Sequence, residues 1–488
     1  MLFHRSGLLI LVVLVAGLLL SCGVEEVHHH DCLRQSESEL RPTDPSDPSG
    51  YEGAETDTLI SPEGYVRVWW ATEGPHQPPT RDSNDSGIPD YVELTAQIAD
   101  EVAALLEYEG WRLPLTAAPE EPLDLFLVNF TAGDGNFRTD NCYLDEGTPV
   151  CSGHLRIEND FQPLYYPTQE YALRVVISHE FFHAVQYAYH AEMPPWWAEG
   201  GATWFQEYFW EEQQDFERLT DFYFDEHERS LHDRQRGAFD AYAYGAAIFV
   251  YFLEQQIGAE GIQRIHQRMA ENIDVIEAID EILTDEFAPL QESFPLFAVW
   301  NLFTGERAIE GQGYPDGERF AEISQVELDA DQAINWNVGV DPLAVQYARV
   351  DATRDVAIKA EPIDGHTPFD IYAVAPAEFE ESGVYHHITA GADQAVTFEA
   401  DAFPIYLVAV NADVDDLRSV QIQLRRAAAD DVQDDETPQE IADTDGASGC
   451  TTAGQSPATP LLILLTLLAI AALPVRPARR NSPPPLLR

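Results

Sequence analysis

The sequence predicts an α+β fold in two parts: a mixed sheet with a buried helix and a helical region, then a C-terminal β-sandwich. Three patterns support this expectation. Short strands flank a first helix, apolar residues recur at helical spacing over residues 204–313, and short turn-separated strands follow from about residue 335. We therefore expect a first domain at residues 57–330 and a second at residues 336–426.

The first domain is expected to begin with strands on either side of a helix. Residues 64–70 and 123–130 have the apolar patterns of strands, and residues 91–110 have the period of an amphipathic helix. Residues 153–158 are expected to form a third strand directly before the next helix.

An acidic loop at residues 82–93 has the residue types of a twelve-residue calcium loop. Its sixth position is a glycine, Gly87, and its last is a glutamate, as such loops require. The candidate calcium ligands are Asp82, Asn84, Ser86, Ile88, Asp90 and Glu93. Prolines in residues 74–80 argue against a paired EF-hand, so we expect a structural calcium ion at the start of the helix. The alternative is a solvated acidic turn.

The strongest chemical signal is H-E-F-F-H at residues 179–183, inside a helix expected over residues 173–185 with Thr168 as its N-cap. Histidines at positions i and i+4 lie on one helix face and can bind one zinc ion, while Glu180 can activate a metal-bound water. The alternative is a chance match, or two buried histidines with a structural role.

A third zinc ligand is expected from a second helix over residues 196–207. Glu199 lies in its first turn, with fifteen residues between it and His183, enough for the motif helix to end near His190 and the chain to turn through Pro194. Two histidines and one glutamate form an established catalytic zinc set that leaves a position open for water. Glu192 is too close to the loop, and Glu207 is expected to be exposed to solvent.

Together, H-E-F-F-H-A-V-Q and the segment W-W-A-E-G-G-A-T-W that begins at Trp196 resemble the gluzincin metallopeptidases, in which the glutamate of the second helix is the third zinc ligand. The similarity is greatest to secreted metalloproteases of myxobacteria and covers about residues 60–300. It implies a zincin-like domain at residues 57–330 that binds Zn²⁺ and acts on a protein or peptide substrate. The shorter spacing to Glu199 and the lack of an N-E-x-x-S-D signature differ from thermolysin-type enzymes, so no cleavage preference is implied.

These features predict an exported zinc metalloendopeptidase in which Glu180 activates a zinc-bound water. Tyr244, with Tyr242 as the alternative, is the candidate donor to the oxyanion, and a packed aromatic is the competing interpretation. By resemblance, residues 153–158 are a candidate for the cleft-edge strand that pairs with substrate, although a core strand fits equally well. The other hypotheses are a catalytically inactive cell-surface binding protein and an aminopeptidase, for which we find no motif that would hold a free amine.

The charge of the chain restricts its partners. Acidic residues number 85 against 27 basic ones, which gives a net charge of -58. Such a chain repels polyanions, so nucleic acid is not an expected partner, and we expect a monomer.

Both ends of the chain have the composition of sorting segments. Residues 1–21 predict a signal peptide, and Cys22 follows a sequence that resembles a lipobox. Residues 22–56 are expected to be a disordered linker and residues 427–448 an acidic linker. The tail at residues 449–488, with Cys450, resembles the MYXO-CTERM type of sorting tail. We therefore expect an exported protein, either at the cell surface (outer membrane) or secreted, with membrane contact only through these signals. Of the other cysteines, Cys142 and Cys151 are expected to form a disulfide, which leaves Cys32 unassigned.

Overall fold

The computed structural model describes residues 40–163, 165–236, 240–363, 370–376, 385–392 and 395–428, which all belong to one structural unit. The predicted signal peptide, Cys22, Cys32, Cys450 and the tail lie outside the described residues. So does the acidic linker, apart from residues 427 and 428.

A mixed five-stranded sheet forms the first layer of the fold. Its strands are β1 (Thr56–Ile60), β2 (Val66–Ala71), β3 (Leu123–Val128), β4 (Gly135–Asp145) and β5 (Thr148–Glu158), in the order β1-β2-β3-β5-β4. Strands β2, β3 and β5 are parallel, while β1 and β4 are antiparallel edges. The predicted disulfide between Cys142 and Cys151 is confirmed, and it joins β4 to β5.

The linker prediction was wrong for residues 40–56, because they fold against this sheet. Arg41 forms ion pairs with Asp124 and Asp140 at 2.5 and 2.6 Å. Tyr51 is 2% exposed, and its hydroxyl donates to the Trp69 carbonyl oxygen at 3.0 Å. The polar, proline-rich composition of this segment resembles a linker, but one aromatic and one arginine attach it to the sheet.

Eight α-helices lie in the described residues. They are α1 (Asp90–Tyr108), α2 (Gln169–Tyr189), α3 (Pro195–Phe209), α4 (Asp215–Asp225), α5 (Ala241–Gly245), α6 (Ala247–Met269), α7 (Val275–Glu286) and α8 (Leu290–Leu302). Short 3₁₀ helices follow at Gly305–Arg307, Gly317–Arg319 and Ala400–Ala402.

The helix that carries H-E-F-F-H is α2, which extends beyond the expected residues 173–185 at both ends. The predicted N-cap at Thr168 and the predicted end near His190 are both confirmed. Thr168 caps its N-terminus, where the side chain accepts a hydrogen bond from the Tyr171 backbone N–H at 3.0 Å. The helix ends at His190, and Pro195 begins α3, as the spacing predicted. Helix α2 packs on β4 and β5 on one side and on α1 and α3 on the others, which buries the motif between two layers.

Two further sheets follow the helices. One has the strands β6 (Val326–Asp329), β8 (Ala344–Asp351), β10 (Asp370–Val374), β11 (His386–Thr389) and β13 (Ile405–Asn411), in the order β11-β10-β13-β8-β6. The other has β7 (Ile334–Val340), β9 (Val356–Pro362), β12 (Val396–Phe398) and β14 (Arg418–Arg426), in the order β12-β9-β14-β7. The apolar segments at residues 344–350, 356–360, 369–374, 395–399, 405–410 and 420–424 predict six of these strands, β8, β9, β10, β12, β13 and β14. Strands β6, β7 and β11 were missed. Strand β6 lies within residues 57–330, the predicted first domain, but it pairs with β8 and so belongs to the C-terminal sheet.

The sheet that contains β8 has two buried faces. Side chains from one face, such as Val350 and Leu407, share a cluster with the four-stranded sheet. Side chains from the other face, such as Tyr347 and Tyr406, belong to the same cluster as the first sheet and the helices. The Tyr347 hydroxyl donates to the Ala298 carbonyl oxygen in α8 at 2.8 Å. The C-terminal sheets are therefore continuous with the core of the helical region.

Within the described parts of residues 40–428, no helix has both the length and the apolar composition that crossing a membrane requires.

Candidate metal centre

Three side chains that the sequence predicts as zinc ligands converge at the α2–α3 junction. The Nε2 atoms of His179 and His183 lie 3.1 Å apart, and Glu199 Oε2 lies 3.4 and 3.5 Å from them. In the part of the chain that the structure describes, this is the one group of three or more histidine, cysteine, aspartate or glutamate side chains within metal-sharing distance of one another.

The helices explain this convergence. His179 and His183 are one turn apart on the buried face of α2. The short loop from His190 to Pro194 reverses the chain, and Glu199 follows in the second turn of α3. Local helix geometry thus aligns the two imidazoles, and the packing of α3 on α2 brings in the carboxylate.

The three atoms fit a zinc ion. Zinc–nitrogen distances of 2.0–2.1 Å and tetrahedral angles place neighbouring ligand atoms about 3.3 Å apart, close to the three separations here. Glu199 Oε2 is buried and accepts no well-formed hydrogen bond. Because a buried carboxylate oxygen is costly when unpaired, a cation at this point would stabilise it. Both the donor set and its geometry are those of a zinc site.

The other ring nitrogen of each histidine faces a glutamine. His183 Nδ1 lies 2.8 Å from Gln186 Oε1, and His179 Nδ1 lies 3.2 Å from Gln206 Oε1. A carbonyl oxygen only accepts hydrogen bonds, so each Nδ1 carries a proton, and Nε2 is the ring nitrogen left to bind a metal. The sequence interpretation missed both glutamines. Only Gln186 had a local signal, because it lies three residues after His183 on the same helix.

Charges at this centre are strongly coupled. Burial lowers the pKa of His183, but the adjacent Glu199 carboxylate outweighs burial and raises that pKa to about 9. Burial opposes ionisation of Glu199, yet the two imidazoles hold its pKa well below its usual range. Without a metal, the pocket therefore holds an ionised Glu199 beside a protonated His183 imidazole, and a bound zinc ion would take the place of that proton.

Glu180 is buried beside the three ligands and against the start of β4. A β-carbon on Gly135 would lie 2.9 Å from Glu180 Cγ and 3.2 Å from Glu180 Oε1. Because Gly135 has no side chain, the backbone of β4 can approach the Glu180 carboxylate this closely. Burial raises the pKa of Glu180, while the nearby histidines and the Phe137 backbone N–H lower it. A carboxylate with a raised pKa is suited to accept a proton near neutral pH.

The structure separates the two candidate tyrosines. The Tyr244 ring stacks on the His179 ring, with centroids 5.7 Å apart, and its hydroxyl hydrogen-bonds with Glu199. The Tyr242 hydroxyl instead donates to the Arg229 carbonyl oxygen at 3.0 Å, inside the core. Tyr244 therefore borders the centre, and Tyr242 does not.

The expectation for Glu207 was wrong, although its rejection as a ligand stands. Glu207 is 8% exposed, not solvated. Gln213 donates to its carboxylate at 2.5 Å, and Arg319 lies 3.4 Å from it. Burial between helices raises its pKa to about 8. Glu192 is exposed in the loop before α3.

The cleft-edge assignment also needs correction. Residues 153–158 belong to β5, which lies between β3 and β4 and has hydrogen-bonding partners on both sides. The edge strand is β4, which the sequence interpretation missed because its polar residues do not alternate clearly. Its first residue, Gly135, is the one that approaches Glu180.

Side chains of the predicted calcium loop, residues 82–93, form hydrogen bonds with one another and with the loop backbone. The Asp82 carboxylate accepts hydrogen bonds from the Ser86 and Gly87 backbone N–H groups at 3.0 and 2.8 Å. Ser86 Oγ and the Asn84 amide donate to Glu93 at 2.8 and 2.9 Å. Gly87 has a φ of 85°, which suits a glycine at the sharp turn. The loop gathers these side chains, and calcium binding stays a prediction.

No family model matches the chain, and no curated protein matches it. Among solved structures, it is similar to the M1 zinc metallopeptidase from Deinococcus radiodurans, at 15% identity and a TM-score of 0.28 over 48% of each chain. It is also similar to a mutant of that peptidase bound to a Tyr-Ser-Ala substrate, at 15% identity and a TM-score of 0.29. That match covers 50% of this chain and 51% of the other, so the chain spans about half the length of these proteins. Both likenesses are too distant to transfer a function.

Proposed function

We propose that this chain is an exported zinc metallopeptidase that cleaves peptide bonds within proteins. The observation that carries the proposal is the convergence of His179, His183 and Glu199 within 3.5 Å of one another. Glu180, a buried carboxylate with no ligand role in this set, lies beside them. Three ligands and one adjacent base are the parts that metal-assisted hydrolysis requires.

A bound zinc ion would supply a Lewis acid that acidifies a water molecule and polarises the scissile carbonyl group. Glu180 takes a proton from the attacking water and delivers it to the leaving amine. Tyr244 is placed to donate a hydrogen bond to the oxygen that gains negative charge. The Gln186 and Gln206 carbonyl oxygens hold the two imidazoles so that both Nε2 atoms face the same point.

Substrate is proposed to lie along β4. An edge strand offers unpaired backbone groups, and an extended peptide can add to it as a further strand. Because β4 begins beside Glu180, a peptide on this edge would pass the metal centre.

We favour an endopeptidase over an aminopeptidase because the sequence contains no recognisable motif for holding a free amine. Asp215, a carboxylate that interacts with His179, is paired with Arg218. The alternative of an inactive binding protein is disfavoured because Glu180 is intact.

The first prediction concerns Glu180. The purified chain is expected to bind one zinc ion and to cleave casein, and Glu180→Gln is expected to keep the zinc ion and lose activity by about 10²- to 10⁴-fold. Zinc content and casein cleavage measure the two effects. Glu192→Gln, in the exposed loop before α3, is the control and should behave as the wild type. A wild type without zinc, or equal cleavage by both Glu180 forms, would refute the proposal.

The calcium loop and the two ends of the chain complete the proposal. We assign a structural calcium ion to the ligands Asp82, Asn84, Ser86, Ile88, Asp90 and Glu93. We assign export to residues 1–21 and sorting to residues 449–488, and the Cys142–Cys151 disulfide supports an oxidising destination. Mass spectrometry of the mature chain would test whether Cys22 is acylated and whether the tail is removed.

A further inference from the structure

One buried glutamine connects the helix of the two histidines to the helix of the glutamate. Gln186 is 0% exposed, and both polar atoms of its amide are engaged. Its Oε1 faces His183 Nδ1 at 2.8 Å, and its Nε2 donates to the Ala198 carbonyl oxygen at 2.9 Å. Ala198 directly precedes Glu199, so one side chain spans from one predicted ligand to the backbone beside another.

The orientation of this amide is fixed by its partners. The Ala198 carbonyl oxygen can only accept, so the amide nitrogen must face it, and the amide oxygen must then face His183. The pair of hydrogen bonds therefore leaves one amide orientation and one tautomer of His183.

Helix α3 is shaped to admit this amide. A β-carbon on Gly201 would lie 2.9 Å from Gln186 Nε2 and 3.6 Å from the Phe182 ring. Because the position has no side chain, the amide can reach between the two helices and bond to the α3 backbone. The contact is thus built from both helices.

The Gln186 amide is uncharged, in a pocket that already contains carboxylates. Glu180 and Glu199 already place two carboxylates in the pocket, and Asp215 lies close enough to influence His179. A further buried carboxylate would raise the cost of ionising these groups. An amide orients the imidazole without adding charge, and Gln206 does the same for His179.

We infer that Gln186 is a positioning residue that couples the two zinc-binding helices, setting the direction of His183 and the distance of Glu199 through one amide. This inference rests on the proposed function. Both halves of the amide are required: Oε1 for the histidine and Nε2 for α3. Loss of either half is expected to weaken zinc binding, by about 10- to 100-fold for the whole group.

The test uses the full metal-free chain and four variants. Gln186→Leu removes both hydrogen bonds, Gln186→Glu keeps an acceptor for His183 but has no donor for Ala198, and Gly201→Ala pushes a β-carbon against the amide. Gln263→Leu is the matched control, because Gln263 is a buried glutamine that bonds to the Glu109 carbonyl oxygen away from the centre. Zinc affinity is measured by competition with a chromophoric chelator, and ligand geometry by the visible spectrum of the cobalt-substituted chain.

The first three variants are expected to bind zinc at least about tenfold more weakly than the wild type and to show altered cobalt bands. Gln263→Leu should match the wild type in both measurements. If Gln186→Leu does not fold, Gln186→Glu and Gly201→Ala still decide the outcome, since both keep a polar or small side chain at the contact.

Four results would overturn the inference. Wild-type affinity in Gln186→Glu would mean that the bond to α3 is not needed. A lower unfolding midpoint of the metal-free variants, with unchanged zinc affinity and cobalt bands, would mean a purely structural role. A wild type that binds no zinc would overturn this inference together with the proposed function, whereas one zinc ion bound equally by all variants would remove only the role of Gln186.

Discussion

At the residue scale, the chemistry depends on groups that lie beside the metal ligands. The Glu180 side chain, on α2, packs against Gly135, the first residue of β4, and the Tyr244 ring stacks on the His179 ring. The motif made Glu180 predictable from the sequence, because one turn of helix fixes its place relative to the histidines. Tyr244 was predictable only as one of two candidates, since the chain between Glu199 and Tyr244 contains a whole further helix.

The second prediction concerns Tyr244. Tyr244→Phe is expected to lower kcat by about 10²-fold with little change in KM, because the lost hydroxyl would act on charge that develops only in the transition state. Steady-state kinetics and zinc content measure the effect. Tyr242→Phe is the control, since that hydroxyl bonds to the Arg229 carbonyl oxygen in the core. Weaker zinc binding by Tyr244→Phe, with an unchanged kcat for the zinc-loaded variant, would instead assign the hydroxyl a role in holding Glu199.

The third prediction concerns pH and stability at Glu254 in α6. Burial raises the pKa of Glu254 from 4.5 to about 7, partly opposed by a hydrogen bond from Trp204 Nε1 at 2.9 Å. A pKa raised in the folded state means that the stabilising effect is present below pH 4.5 and is lost as the pH rises through about 7. At pH 8, Glu254→Gln is therefore expected to be more stable than the wild type by about 1–2 kcal/mol, and at pH 5 about equal.

Urea unfolding at both pH values measures this difference. Glu260→Gln, at an exposed position after the kink at Gly258 in α6, is the control and should show no such dependence. A Glu254→Gln variant that is equally stabilised at pH 5 and pH 8 would show that ionisation of Glu254 is not the cause.

At the element scale, the helix pair α2–α3 and the edge strand β4 determine the site. Spacing predicted the helix pair, because prolines and a threonine cap mark the helix limits in the sequence itself. No local sequence pattern identified β4, because its sequence is polar and its C-terminal half is exposed to solvent. Pairing with β5 and packing against α2 make it a strand, and both contacts are tertiary.

The fourth prediction concerns the loop before α1. Calcium is expected to raise the unfolding midpoint of the wild type over that measured with a chelator, by an amount that corresponds to about 2.7 kcal/mol at a hundred times its Kd. The Asp82→Ala, Glu93→Ala double variant should lose this response. Asp85→Asn is the control, because Asp85 lies in the same loop but is not a predicted ligand. An equal midpoint with calcium and with chelator in the wild type would refute the site.

At the scale of the whole molecule, the C-terminal sheets share a core with the helices that surround the metal centre. Tyr347 is 1% exposed, and its hydroxyl donates to the Ala298 carbonyl oxygen. Its ring packs edge-on against the His227 ring, with the two ring centroids 4.9 Å apart. His227 in turn has its Nδ1 2.8 Å from the Val345 carbonyl oxygen and its Nε2 3.1 Å from the Ser324 hydroxyl. These contacts make the C-terminal sheets a support of the helical region.

The fifth prediction follows from this shared core. Calorimetry of the full chain should show one cooperative transition for residues on both sides of the contact. Tyr347→Ala is expected to cost about 3–5 kcal/mol and to move the whole transition, whereas Tyr347→Phe should cost only about 1 kcal/mol. Two separate transitions, of which Tyr347→Ala shifts one, would show that the parts unfold independently.

Features that repeat over a few residues were predictable from the sequence. Helical period placed His179, Glu180 and His183 on one face, and helix-end residues placed Glu199 one short loop away. The sequence also indicated the strands whose apolar patterns are regular, and it predicted the disulfide between Cys142 and Cys151. The tertiary structure alone decided the rest: the folding of residues 40–56 onto the sheet, the edge position of β4, the burial of Glu207 and the amide bridge of Gln186. These depend on contacts between residues far apart in the chain, which packing sets and no local period encodes.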